Sequence, residues 1–355
     1  MADYEVVYDK DGNPMLKQIK PTRNARQYIR KWKITIFKPA YTKDDKGNTI
    51  RDKQNDTAVD VSALKCVFKT QQTNETAATL CTLTVYNMNA RAEGDIICEG
   101  FQIKIEAGYQ EAQYGEIFTG DIVQIFRNRE NGIDYRLEII ALRGVLMFDT
   151  NYVRSTLAAG STARDEIKAI AENADKKIEI GEISPYLNQH PLPRGKVLFG
   201  TPAKYYRDIC IHNEANYWLD TDDKFIIKKV SDEIPEDQVL VLTPTTGLVG
   251  TPQYGDDGIH IKMLLDARVK LQSMIKIDNE LIQRQALSYD LSGKGNNNQL
   301  PQTSQFDQDG EYQVFSVAHS GDTWGDTWLT EVVGIGRNGR NGLLTSFEND
   351  QQTGR

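Results

Sequence analysis

The sequence predicts a mainly β chain of the α+β kind, with two β units joined by a small α/β module and a polar segment at each end. Three observations predict it. Residues 28–147 hold about seven short runs that alternate apolar and polar side chains, with no helical period between them. Residues 148–232 switch to a helical spacing of apolar positions. Residues 233–336 return to the strand period. With 355 residues, the chain is long enough for two or three domains and for a core that needs no disulfide or metal staples.

Residues 1–27 are polar and rich in turn signals (Asp11-Gly12, Pro14, Pro21), which predicts an extended arm. From residue 28 strands begin. Trp32, Ile34 and Ile36 alternate with Lys31, Lys33 and Thr35, the pattern of a half-buried strand. Lys43–Asp56 has little to anchor it and reads as a long loop. Further strands follow at Leu64–Lys69, around Cys81, Leu83 and Val85, and around Phe101, Ile103 and Ile105. Gly120-Asp121 reads as a turn or bulge between the strands Ile117–Thr119 and Ile122–Ile125. Asn131-Gly132 is a hairpin signal before Tyr135, Leu137 and Ile139. Strands this short and this closely spaced predict an all-β barrel or sandwich.

In the α/β module, Ser161 or Thr162 caps a helix whose buried face is Ala163, Ile167, Ile170, Ala171 and Ala174, with Gly181 and Pro185 ending the unit. Thr201-Pro202 opens a second helix with Tyr205, Tyr206, Ile209 and Cys210 inward. A strand at Tyr217–Leu219 then turns back into Phe225–Ile227. The second β unit holds an apolar hook (Gly247, Leu248, Val249, Gly250), a Pro252-Gln-Tyr254-Gly turn and an Asp256-Asp257-Gly258 turn. Strands through Ile259, Ile261 and Met263 and through Met274, Ile275 and Ile277 come next. Ser288–Asp309 is a polar loop, and residues 337–355 form a polar, Gly-rich tail. No heptads and no solenoid-length repeats occur.

Net charge is −8, but residues 1–40 carry nine Lys/Arg against four Asp/Glu, which leaves −13 on the remainder. A basic arm on an acidic body can bind nucleic acid or an acidic protein neighbour, or be simply a solvated, partly disordered terminus, whereas the acidic body disfavours tight wrapping of DNA. The four cysteines (Cys66, Cys81, Cys98, Cys210) lack metal-ligand spacing and read as buried free thiols, in keeping with assembly in a reducing cytoplasm. No signal peptide and no membrane-spanning run is expected.

Three phrases carry a family resemblance. They are VYNMNARAEGD (85–95), IKIEAGYQ…GEIFTGDIVQI (103–125) and TGLVGTP…GIHIKMLLDARV…GEYQVFSVAHSGDTWGDTW (246–328). In this order they resemble the bacteriophage tail baseplate hub family, the late control protein D type of contractile tails. One departure is Ala267-Arg268, where that family commonly has Pro. The resemblance implies two tube-type antiparallel β-barrel domains, at 28–147 and 233–336, joined by the module at 148–232. It further implies a homotrimeric ring of pseudo-sixfold symmetry between a sixfold tail tube, or its distal initiator, and a threefold central spike. Baseplate wedge proteins lie outside, and DNA passes only transiently through the bore. It places the chain in the virion after assembly in the host cytoplasm, with no membrane insertion by this chain. The Gly120-Asp121 and Gly321-Asp322 pairs are the trace expected of two related barrels.

Catalytic signals are weak. His319, Asp322 and Asp326 stand near Thr323 and two tryptophans, but His319-Ser-Gly-Asp322 reads as a tight turn in which Asp bonds the backbone. Asp256-Asp257-Gly258 lacks the spacing of a calcium loop, and Gly334-x-Gly336 lacks the Lys-Ser/Thr of a phosphate loop. No catalytic, cofactor-binding or metal-binding residue is therefore expected, and no enzyme. Trp324, Trp328, His319, Asp322, Leu248 and Tyr254 are interface candidates, the tryptophans as a packing wedge against a neighbour. The alternative from another class is a tail-associated cell-wall hydrolase acting on peptidoglycan, which needs paired carboxylates or a metal in a cleft. A receptor-binding fibre would need long repeats, which the sequence lacks.

Overall fold

A computed structural model describes residues 4–8, 14–18, 29–38, 40–43, 49–51, 56–73, 78–89, 101–110, 113–130, 132–187, 190–220, 224–229, 232, 239–255, 258–278, 283–284 and 310–336. The 288–309 loop, the 337–355 tail, Asn131, the Asp256-Asp257 pair and all of ARAEGD (90–95) lie outside these residues.

The chain opens with a hairpin, β1 (Tyr4–Tyr8) and β2 (Pro14–Gln18), which forms its own two-stranded sheet. Next come β3 (Arg30–Lys38), β4 (Tyr41–Lys43), β5 (Thr49–Arg51), β6 (Thr57–Asp60), β7 (Cys66–Thr73), β8 (Thr79–Tyr86), β9 (Gln102–Tyr109), β10 (Gly115–Glu130) and β11 (Asp134–Arg143). Apart from the separate β4–β5 pair, they lie antiparallel in the order β7-β8-β11-β10-β9-β3-β6. The predicted alternation holds: Ile34 and Ile36, Cys81, Leu83 and Val85, and Ile103 and Ile105 all point into one core. Gly120-Asp121 does not separate two strands. It sits inside β10, where pairing passes from β9 (through Asp121) to β11 (from Asp121), with a bulge at Ile122/Gln124. A Cβ on Gly120 would stand 2.5 Å from the Phe118 ring and 2.9 Å from the Arg143 amide, so glycine is required by close packing rather than by a turn.

The module comprises α1 (Val145–Phe148), β12 (Val153–Leu157), α2 (Ala163–Asn173), β13 (Glu179–Ile183), β14 (Lys196–Gly200), α3 (Pro202–Asn213), β15 (Ala215–Leu219) and β16 (Lys224–Lys229). Thr162 and Asp165 close a capping box on α2: the Thr162 hydroxyl accepts from the Asp165 amide, and the Asp165 carboxylate accepts from the Thr162 amide at 2.9 Å. Ile167, Ile170 and Ala171 of α2 meet Tyr205, Tyr206, Ile209 and Cys210 of α3 over a stacked Tyr206–Phe225 pair. Gly181 does not end the unit. It lies within β13, which pairs in parallel with β16, close against Lys224.

The second β unit holds β17 (Leu240–Leu242), β18 (Gln253–Gly255), β19 (Gly258–Leu264), β20 (Met274–Ile277), β21 (Gln283–Arg284), β22 (Glu311–Asp322) and β23 (Trp328–Gly336). Ile259, Ile261, Met263, Ile275, Ile277, Val314 and Val332 form its core. The two β units are one continuous sheet. The start of β22 pairs with β20, and its later residues, Ser316–Asp322, pair with β7 of the first unit. A bulge at Val314/Ser316 marks the handover, where the added twist lets one strand serve two neighbours. Where Pro is common in the resembled family, Asp266 makes the bend instead. Its carboxylate accepts from the Arg268 amide at 2.9 Å and binds the Arg268 guanidinium at 2.7 Å.

Candidate functional site

The β22–β23 turn is where the units meet. Gly321-Asp322 is the end of β22, and the turn itself runs from Thr323 to Thr327. Asp322 Oδ1 accepts from the Trp324 and Gly325 amides, both at 2.9 Å, and its own amide donates to the Thr327 carbonyl at 2.8 Å. This is the aspartate-capped turn that the residues predict. Two bonds then fix it to β7: the Thr323 amide donates to the Cys66 carbonyl, and the Cys66 amide donates to Thr323 Oγ1, each at 2.9 Å. From β3, the Arg30 guanidinium donates to the Gly325 carbonyl at 2.5 Å and the Asp326 carbonyl at 2.8 Å.

Trp328 is the wedge of this joint. It belongs to β23 of the second unit, yet it lies in the core of the first, 1% exposed. Its ring packs edge-on against Trp32 (6.0 Å between centroids) and Phe68 (5.6 Å), with the Arg30 guanidinium 5.4 Å from its centroid. Such aromatic pairs add about 0.5–1.5 kcal/mol each beyond the area they bury. Gly321 admits the two rings: a Cβ there would fall 2.4 Å from Phe68 and 2.9 Å from Trp328.

Behind the wedge lies a buried polar strip. His319 Nδ1 and Thr330 Oγ1 share a 2.9 Å hydrogen bond, and Thr330 Oγ1 accepts from the Asp266 amide at 3.1 Å. Burial pushes the His319 imidazole down to about 4, with Arg143 acting the same way and Asp266 opposing, so the ring is neutral at neutral pH. Burial likewise pushes the Cys66 thiol up to about 12, so it is neither charged nor nucleophilic at neutral pH. Cys81 and Cys210 are also free and buried, while Cys98 lies outside the described residues.

The six interface candidates therefore separate. Trp328, His319 and Leu248 are interior side chains of the single chain; Leu248 is held in the second core beside Met263 by an isolated bridge. Asp322 is engaged in its turn. Tyr254 has its backbone in β18, opposite Ile259, and its side chain lies outside the described residues. Trp324 is the exposed member: it is 70% exposed, on a turn fastened from three sides, whereas Asp322 is half-buried. Sequence reasoning missed Arg30, which grips the turn from 295 residues away, and no local signal could reveal it.

Chemically, the site is a joint. His319 is held by the Thr330 hydroxyl, Asp322 by the backbone amides of its own turn, and the Asp326 main-chain carbonyl by the Arg30 guanidinium, as a structural turn requires. Among the described residues, no cluster of three or more His, Cys, Asp or Glu could hold a metal ion, and no helix is long and apolar enough to cross a membrane.

Comparison with known proteins agrees with this architecture. The structure is similar to the 43 kDa tail protein of prophage MuSo2 from Shewanella oneidensis, with TM-score 0.52 and 8% identity over 87% of this chain and 99% of that one. It is also similar to a tail protein from Neisseria meningitidis MC58, with TM-score 0.51 and 9% identity over 88% and 98%. At these identities the likeness is one of fold. No curated protein matches the sequence. The Baseplate hub gp41 family matches residues 49–284, most of the chain, and the chain belongs to that family, a structural component of the phage tail baseplate.

Proposed function

We propose that three copies of this chain form a ring of pseudo-sixfold symmetry that adapts a sixfold tail tube to a threefold spike and leaves a bore through which DNA leaves the virion. The observation that carries the reading is the joint. Two β units per chain are fused through β22–β7 and pinned by Trp328, so three chains present six β units at fixed angles. In this reading residues 28–147 and 233–336 are the two tube-like barrel domains and 148–232 the connecting module. Residues 1–27 and 337–355 are arms for neighbours, among them the tube or its initiator, the spike and the wedge proteins.

Trp324 is the contact residue of the turn. An aromatic anchor held rigid before binding loses little entropy when a neighbour covers it. Asp322 acts behind it by closing its turn and Trp328 by fixing the joint that the turn stands on, while Leu248 and His319 are interior side chains. Light scattering and single-particle imaging of the purified chain test the assignment. A threefold ring with an open axis is the expected result, and a Trp324→Ala chain forms that ring more weakly. A compact asymmetric monomer at all concentrations, with and without tube or spike proteins, overturns it.

A further inference from the structure

Among the described residues, strand β14 pairs only with β12 and its other edge is open, while the far side of β12 is partly occupied by the Val153–Ala174 bridge. The Phe199 amide points away from β12 and donates to the Tyr205 hydroxyl at 2.6 Å. Antiparallel pairing alternates, so Val197, two residues back, also turns its amide and carbonyl away from β12. On the same short strand Val197 and Phe199 are 69% and 72% exposed. Natural edge strands avoid such apolar stretches unless another strand covers them; the Tyr205 hydroxyl takes the Phe199 amide, and among the described residues the Val197 amide is left to a partner strand.

The chain carries a strand that fits. The β1–β2 hairpin stands outside the 14-stranded sheet, and a lone two-stranded hairpin is marginal in water. β1 reads YEVVY, all but one of its residues strong β formers, and at five residues it has the length of β14. β2 begins with Pro14, which has no amide to donate, so β1 is the better edge. Charge agrees: the only residue of β1 charged at neutral pH is Glu5, whereas β12 and β14 carry only the bases Arg154 and Lys196. Each base also has an acid of its own chain, Asp175 and Glu166 respectively.

We propose that β1 of a second copy adds to the open edge of β14, extending the ladder to β2-β1-β14-β12 and linking each copy to the next. The proposal rests on the trimer reading above, in which three such heterologous contacts close a ring.

Two measurements test it on the whole chain. The first is hydrogen exchange at the Val197 amide, compared with a chain lacking residues 1–18; the intact chain exchanges at least about tenfold more slowly if β1 covers the edge. The second mixes a Val197→Cys chain with a chain of different mass carrying one cysteine scanned through Tyr4–Tyr8, under mild oxidant. Disulfides between the two masses are expected. Equal exchange in both chains, or cross-links that form only within one chain, overturns the proposal. A ring of three with an uncovered Val197 overturns the arm and leaves the trimer standing. Monomers without cross-links overturn both.

Discussion

Replacing Trp328 by alanine tests the joint most directly, because Trp324 four residues earlier provides a matched control. Trp328 is 1% exposed, and an indole buries roughly 150–250 Å². At about 25 cal/mol per Å² the transfer contribution is ~4–6 kcal/mol, and measured Trp→Ala costs in cores are about 3–5 kcal/mol. Trp324 is 70% exposed, so its truncation shifts stability by less than about 0.5 kcal/mol. Denaturant melts followed by circular dichroism, at two protein concentrations, read both variants. Trp328→Phe is a useful third, because it keeps a ring in the wedge and removes a buried indole N–H that has no hydrogen-bond partner among the described residues. It is expected to cost less than half as much as Trp328→Ala. Equal, small shifts for both alanine variants would refute the placement of Trp328. A large loss for Trp324→Ala in the monomer would refute the description of its turn as preformed and exposed.

Gly321→Ala puts a methyl into the Phe68 and Trp328 rings and is expected to cost at least about 1–3 kcal/mol in the same melts. Thr162→Ala removes the α2 cap and costs about 1 kcal/mol, seen as a lower melting temperature with the core unchanged. His319 titrates at about 4 when folded and near 6.5 when unfolded, so the unfolded chain binds the extra proton between those values. Its contribution is full above about pH 6.5 and is lost as pH falls to about 4, on the order of 3 kcal/mol in all. A His319→Gln chain, melted across that range, lacks this slope; an unchanged slope would reassign the pH dependence to other groups.

Much of the fold was legible because periodicity is local. The strands around Ile34, Leu83 and Ile103 and the helix faces of Ile167 and Tyr206 follow from spacing alone. The Asp322 turn was legible for the same reason, since its partners are two and three residues away. Misreadings came where local chemistry has two meanings. Glycine marks a turn or a close approach, and Gly120, Gly181 and Gly321 are all close approaches inside strands. The two tryptophans look alike in sequence, yet one is core and the other surface.

By itself the sequence determined the strand and helix content, the order of the units and the baseplate hub family, because each is written in short-range pattern or in ordered motifs. Only the tertiary structure decided that β22 passes from β20 to β7 and that Trp328 of the second unit completes the first unit's core. It alone revealed that Arg30 grips a turn 295 residues away. These are pairings between distant segments, set by which edges and rings are left to cover one another in three dimensions, and no local period records them.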